Sequence, residues 1–438
     1  MKTVLIISPP FYSHFNPLLT IARALRQSAP IRVVIATAAA FQSQVESAGF
    51  YFARLETSRN ANTGIAEKTR QDEKETQRLY EFFQATYQGA IPTLMVQTKH
   101  RRLNMLPDPL PIFEQLQEIQ QAWRPDLFLV DHLNFAVTLA LYALNYPFLT
   151  FCPGHPTYIP QDNQIFGVPY AFPSCIQPTQ EEIETLSSQA LDIEAEFTAA
   201  FNRFLEQYAP ERGPVKNAFR LTSPQAILFN YPDFGHLHTS SNGPAKWFGG
   251  HCFPANPSLN LEWQGIIHAH KNHRPKILIS FGTFLSARSD VIQKILQGLL
   301  SIFPDGLFIA AVGDRMNEYS SFNDPRIILR EFIPQTALLP YMDLVIHHGG
   351  NNSFTETLYY GKPMLIFPFS SDQFSIAHDA ERFEIGKVLN PNNFQQEELA
   401  GKIEPLLAGD FSSSLQKWSQ LSRERGANFL ADAILQLL

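Results

Sequence analysis

Short apolar runs that stop at turn-forming residues and give way to segments of helical period recur in two series along the chain. The first series opens with an apolar run at 4–8 and a loop at 9–16. A segment from Pro17 follows, in which Leu18, Leu19, Ile21, Ala22 and Leu25 share one helical side. A second apolar run at 31–36, a helix at 41–48 and a third run at 127–130 continue the rhythm. The second series reads strand 276–280, helix 290–301, strands 307–312, 327–330 and 344–347, a helix, then strand 364–367. Continuous apolar runs of this length suit strands buried on both faces, and their alternation with helices predicts parallel, doubly wound sheets. The expected fold class is α/β with two Rossmann-like halves, and no internal repeat relates them.

Residues 232–274 are rich in Gly, Pro, His, Asn and Ser and lack sustained periodicity, which marks a boundary. The expected organisation is a first unit at 1–245, a linker at 246–273, a second unit at 274–414, and a helix at 415–438 packing back on the first unit. Residues 58–104 and 179–212 read as helical insertions into the first unit, and the charged run 68–78 as a solvated helix face.

The densest chemistry lies between Phe332 and Gln373. The apolar run Leu344, Val345 and Ile346 breaks at His347, His348, Gly349 and Gly350, and Asn351, Asn352 and Ser353 offer cap oxygens to a following helix. A helix that starts just after a diglycine exposes unpaired N–H groups and a positive dipole end, which suits a phosphate. His348, Asn352 and Ser353 would add donors around the same anion. Glu356, one turn beyond Ser353, could accept hydrogen bonds from a ribose.

This segment resembles the donor-binding signature of the family-1 UDP-glycosyltransferases, which include plant secondary-metabolite and bacterial macrolide glycosyltransferases. The resemblance implies a GT-B fold. It implies that Phe332, ahead of Ile333, Pro334 and Gln335, stacks on the base, and that His348, Gly350, Asn351, Asn352 and Ser353 surround the phosphates. Glu356 would then take the ribose, and Asp372 and Gln373 the sugar hydroxyls. Ser280, Gly282 and Thr283 sit at another strand-to-loop transition and are expected to reach the same donor.

In the first series, His14 lies in the loop after the first strand, and Asp131 ends the run 127–130. A histidine there can act as general base, with a carboxylate fixing its tautomer. The resemblance implies this dyad as well, although the chain has Ser13 where many members have glycine. His132 and His155 are reserve candidates. An aromatic, loop-rich composition suggests an apolar acceptor pocket formed by Phe11, Tyr12, Phe83, Phe166, Tyr170 and Phe172.

A net charge of −7 argues against nucleic acid as a partner. Three cysteines without paired spacing show neither a disulfide framework nor a zinc site. The run at 4–8 is too short for a signal peptide, and no run reaches the ~18 apolar residues of a membrane helix. The expectation is a cytoplasmic protein without a transmembrane segment, with peripheral membrane contact left open.

The expected activity is inverting transfer of a hexose, glucose by preference, from a UDP-sugar to a hydroxyl of a lipophilic or aromatic small molecule. No metal and no further cofactor is expected. A UDP-sugar epimerase and a catalytically dead sugar-nucleotide binder are the alternatives. A nicotinamide enzyme is disfavoured, because neither first βα turn carries GxGxxG.

Overall fold

In the computed structural model, which describes residues 1–57, 62, 73–235, 243–254 and 257–438 (without the side chains of 102–104), two parallel sheets dominate. The first contains β1 (Thr3–Ile7), β2 (Arg32–Thr37), β3 (Tyr51–Arg54), β4 (Leu127–Asp131), β5 (Phe148–Cys152), β6 (Ala226–Phe229) and β7 (Ala245–Phe248). The second contains β8 (Lys276–Ser280), β9 (Leu307–Ala311), β10 (Ile327–Arg330), β11 (Leu344–His347), β12 (Met364–Ile366) and β13 (Gly386–Val388). Their orders are β3-β2-β1-β4-β5-β6-β7 and β10-β9-β8-β11-β12-β13, parallel throughout.

Parallel neighbours cannot be joined by tight turns, so helices cross over both faces and bury the strands. All five residues of β1, β4 and β8 are accordingly buried. In each sheet the chain winds from a central strand to one edge, then returns to wind the other way. The reversal falls between β1 and β4 in one sheet and between β8 and β11 in the other. Crevices beyond the carboxyl ends of strands at such reversals are where open α/β sheets hold ligands. Register places Ile7 opposite Val130 and Ser280 opposite His347, so the loops after these strands emerge side by side.

Several boundaries differ from the sequence expectation. The first helix spans Tyr12–Ser28 and carries Pro17 inside it rather than starting there. β7 takes residues expected in the linker, and so does the helix Leu261–Ala269, whose Trp263 joins the second half's core. The C-terminal pattern is two helices, Ser412–Arg423 and Ala427–Leu435, because Gly426 breaks it with φ 89°. The first places Trp418 against the second half, and the second buries Leu430 and Ile434 in the first half's core.

Of the expected insertion at 58–104, residues 58–61 and 63–72 lie outside the described residues, as does the start of the charged run at 68–78. The remainder forms helices Glu73–Gln88 and Ala90–Met105, and Phe82 from the former is buried in the second half's core. The insertion at 179–212 is a 29-residue helix, Gln180–Tyr208, opened by a reciprocal Thr179–Glu182 cap.

Candidate active site

His14 sits in the first turn of the helix that follows β1, and Asp131 is the last residue of β4, so the β1–β4 reversal brings them together. His14 Nδ1 lies 2.9 Å from Asp131 Oδ2, and Asp131 Oδ1 accepts the Leu133 N–H at 2.9 Å. A carboxylate at Nδ1 holds the proton there and leaves the Nε2 lone pair free. Burial works against charging the imidazole, but the charge and hydrogen bond of Asp131, with Asp372 beyond, raise its pKa above the ordinary 6.5. His14 lines both of two adjoining cavities, of about 660 and 810 Å³. Tyr158 and Asp372 also border both.

The larger cavity lies at the β8–β11 reversal. Every residue expected at the donor lines it, from Ser280, Gly282 and Thr283 through Phe332, Ile333 and Gln335 to Asp372 and Gln373. Its floor is the N-terminus of helix Asn351–Tyr359, where Gly350 supplies no side-chain cap. Such a terminus leaves backbone N–H groups to an anion.

The two histidines divide their work. His347 is fully buried and its Nδ1 accepts the Gly349 N–H at 3.0 Å, closing the turn. His348 faces the cavity between Gly282 and Gly350, and burial lowers its pKa to about 4, so it is neutral at pH 7. Gln335 Nε2 donates to Glu356 Oε2 at 2.7 Å and to Ser353 Oγ at 3.2 Å, joining three of the expected residues. Burial pushes the Glu356 carboxyl up to about 7, with the Gln335 hydrogen bond opposing. Phe332 is 57% exposed at the rim, which leaves its ring free to stack.

Other expected donor residues turn their side chains elsewhere. Asn351 donates to the carbonyls of Pro153 and Asn230 at 2.9 and 2.6 Å. Asn352 donates to Ser13 O at 2.8 Å and accepts from Asn230 Nδ2 at 3.1 Å. Pro17 explains the first of these bonds. Its ring nitrogen cannot pair with the carbonyl four residues back, so Ser13 O is left for a donor from the opposite half. Thr283 Oγ1 accepts from Asn62 Nδ2 at 3.1 Å. Gln373 Oε1 accepts the N–H groups of Phe369 and Ser370, and Gln373 lines the larger cavity alone, whereas Asp372 borders both. Burial raises the Asp372 pKa, and its Oδ2 accepts the His155 N–H at 3.0 Å.

The residues expected at the acceptor fall in different places. Phe11 and Phe166 line the smaller cavity, while Tyr12 lines the larger. Phe83 packs on the second half's core beside Phe82. Tyr170 hydrogen-bonds Asp379 and stacks on His155, and Phe172 packs against Phe374; none of the three reaches either cavity. Their rings complete cores instead, the usual fate of phenylalanine in a chain with 36 of them.

Of the reserve histidines, His132 is buried with its pKa lowered to about 4, its Nε2 3.1 Å from Tyr158 O. His155 Nε2 lies 3.1 Å from Asp379 Oδ2 in the interior. Cavity-lining residues that the sequence reading did not single out include Gln97, Arg101 and Met105, which helix Ala90–Met105 turns toward the smaller cavity. Their spacing of four is the signal that could have found them.

Three comparisons bear on this arrangement. The chain is 26% identical over 391 residues to the NDP-glycosyltransferase YjiC of Bacillus subtilis strain 168, covering 88% of this chain and 83% of that one. The structure of the glycotransferase of kitacinnamycin superposes over 100% of this chain and 99% of its own, with TM-score 0.68 and 17% identity. The spinosyn rhamnosyltransferase SpnG, complexed with thymidine diphosphate, matches over 100% of both chains with TM-score 0.60 and 18% identity. These likenesses show that the paired sheets are a GT-B fold. Residues 215–436, just over half of the chain, match the profile of the UDP-glucoronosyl and UDP-glucosyl transferases, and the chain belongs to that family of glycosyltransferases.

Proposed function

We propose that the protein transfers a hexose, glucose by preference, from its UDP carrier to a hydroxyl of a lipophilic or aromatic small molecule, with inversion. The observation that carries this reading is the His14–Asp131 pair at the junction of the two cavities. His14 Nε2 takes the acceptor's hydroxyl proton as that oxygen attacks the anomeric carbon. The bond from that carbon to the β-phosphate oxygen breaks on the opposite face, and UDP departs with the electron pair. Asp131 stabilises the imidazolium that forms.

N–H groups at the start of helix Asn351–Tyr359, with His348 and Ser353, would receive the diphosphate's charge without a metal. Phe332 would cover the uracil, and Asp372 would hold sugar hydroxyls. Glu356 would bind the ribose hydroxyls, which favours uridine over a 2′-deoxynucleotide. Among the described residues no helix is long and apolar enough to cross a membrane. A cytoplasmic location is part of the proposal, since UDP-sugars are the donors it requires.

The test is UDP release from UDP-glucose with and without a panel of phenols, sterols, carotenoids and macrolides. Acceptor-dependent release that persists in EDTA and vanishes in His14→Ala, while UDP still raises that variant's melting temperature, is the expected result. No thermal shift with any UDP-sugar would overturn the donor assignment. A larger shift with thymidine diphosphate than with UDP would overturn the role given to Glu356.

A further inference from the structure

We infer that Arg101 anchors a carboxylate carried by the acceptor, so that the substrate class is a hydroxylated carboxylic acid with an apolar body. This deepens the proposed function, and it rests on the smaller cavity being the acceptor's.

The charges around that cavity are mostly accounted for. Arg78 is paired with Glu75, His100 lies 2.8 Å from Glu81 Oε2, and Lys74 is exposed to solvent. Arg101 is different. It is only 7% exposed, and among the described residues no carboxylate pairs with it.

Its Nη1 donates to Phe166 O at 2.9 Å, its Nη2 reaches Gly167 O at 3.4 Å, and its guanidinium carbon lies 4.9 Å from the Phe166 ring centroid. Two carbonyls engage two of five N–H donors and neutralise none of the charge. Gly167, with φ 82°, lies so close that a methyl there would overlap the guanidinium. The loop is therefore shaped around the cation. Burial lowers the Arg101 pKa to about 10, which still leaves it protonated at neutral pH.

An uncompensated buried charge is costly, and a neutral donor could tie this helix to this loop at lower cost. What a guanidinium adds is a planar fork that matches a carboxylate with two parallel hydrogen bonds. The layout supports such a ligand. Phe166, whose carbonyl Arg101 holds, has its ring 6.3 Å from that of Tyr158, and Tyr158 borders both cavities with His14. A hydroxyl at His14, an apolar body along Phe11 and Phe166, and a carboxylate at Arg101 would fill the cavity from mouth to wall.

The experiment is a binding titration by fluorine NMR on the full chain saturated with UDP. Four ring-fluorinated aryl carboxylates without hydroxyls, from benzoate to naphthoate size, are each compared with their primary amides. At least one acid is expected to bind wild type tenfold or more tightly than its amide. Arg101→Gln is expected to erase that ratio, and Arg101→Lys to retain part of it.

Equal binding of acid and amide in all four pairs, or no binding of any acid, overturns the proposal. An acid preference undiminished in an Arg101→Gln protein that still shows a UDP thermal shift overturns it too. The wild-type comparison decides even where a variant fails to fold. Because UDP carries no sugar to transfer, the titration reads binding alone, and an acid preference without transfer to any acceptor would count against the proposed function and leave this site standing. Transfer to neutral acceptors without acid preference would do the reverse.

Discussion

A general base must be neutral when substrate arrives and must hold the proton once it has taken it. Asp131 serves the second need at His14, because its charge raises the imidazole's pKa above 6.5 against the opposing effect of burial. Protonated His14 is inactive, so kcat/KM is expected to rise with pH through this raised value and then level. Asp131→Asn removes the charge, so the limb moves to lower pH while the plateau falls by about 10²–10⁴-fold. A pH–rate profile checks both, and an unmoved limb would defeat the pairing.

Glu356 has the opposite character, a carboxyl whose pKa burial has pushed up to about 7. A folded-state value above the unfolded one contributes stability below about pH 4.5 that is lost as pH rises through 7. Glu356→Gln should escape this loss, which is on the order of 2 kcal/mol because the group is partly open to the cleft. Thermal melts of both proteins without nucleotide at pH 5 and pH 8 measure it. UDP should bind wild type more tightly at pH 8, where the carboxylate accepts both ribose hydroxyls.

Within the phosphate-binding element, His348 touches the Ser280 backbone and is wedged between two glycines. Gly282, with φ 70°, would bring a Cβ to 2.9 Å from His348 Cε1, and a methyl on Gly350 would overlap the same ring. Gly282→Ala is expected to raise the donor KM at least tenfold and to cost on the order of 1–3 kcal/mol from backbone strain. If displacement of His348 is the cause, the KM penalty should shrink sharply in a His348→Ala background. Equal penalties in both backgrounds would rule that cause out.

This element was legible in the sequence because an apolar strand, a diglycine and cap residues are local signals. The same holds for the alternation that gives both sheets. Other features depend on distant partners. Asn352 looked like a phosphate ligand because the unpaired Ser13 carbonyl it serves is created by Pro17, 335 positions away. β3, β5, β6, β7 and β13 are not among the strands read from the sequence; β6 and β7 are short and lie beside a Gly- and Pro-rich stretch with little periodicity. The acceptor aromatics could not be sorted, since ring-rich sequence looks alike whether it lines a cavity or fills a core.

Across the whole molecule, polar contacts tie the halves together. Asn352 reaches Ser13, Asn351 reaches Pro153 and Asn230, and helix Ala427–Leu435 crosses back to pack on helix Tyr12–Ser28. The deepest tie is Asp379, on helix Gln373–Arg382 of the second half. It accepts from the hydroxyls of Tyr231, at 2.8 Å, and Tyr170, and its Oδ2 lies 3.1 Å from His155 Nε2, all three partners belonging to the first half.

His155, Tyr231 and Asp379 are buried. Removing the carboxylate strands their polar groups where water cannot replace it, so Asp379→Ala should cost roughly 3–5 kcal/mol. The cost should also reach the reaction. The helix that carries Asp379 begins just after Asp372, and the backbone N–H of His155 holds the Asp372 carboxylate. A loosened His155 would therefore misplace a group bordering His14, and the donor KM should rise at temperatures where the variant remains folded. Asp379→Asn keeps one of the two acceptor oxygens and should fall between the two proteins in both measurements. Denaturant midpoints and donor KM values for the three decide it. An Ala variant as stable as wild type would mean this cluster does not hold the halves together, and a destabilised variant with unchanged KM would separate the tie from the site.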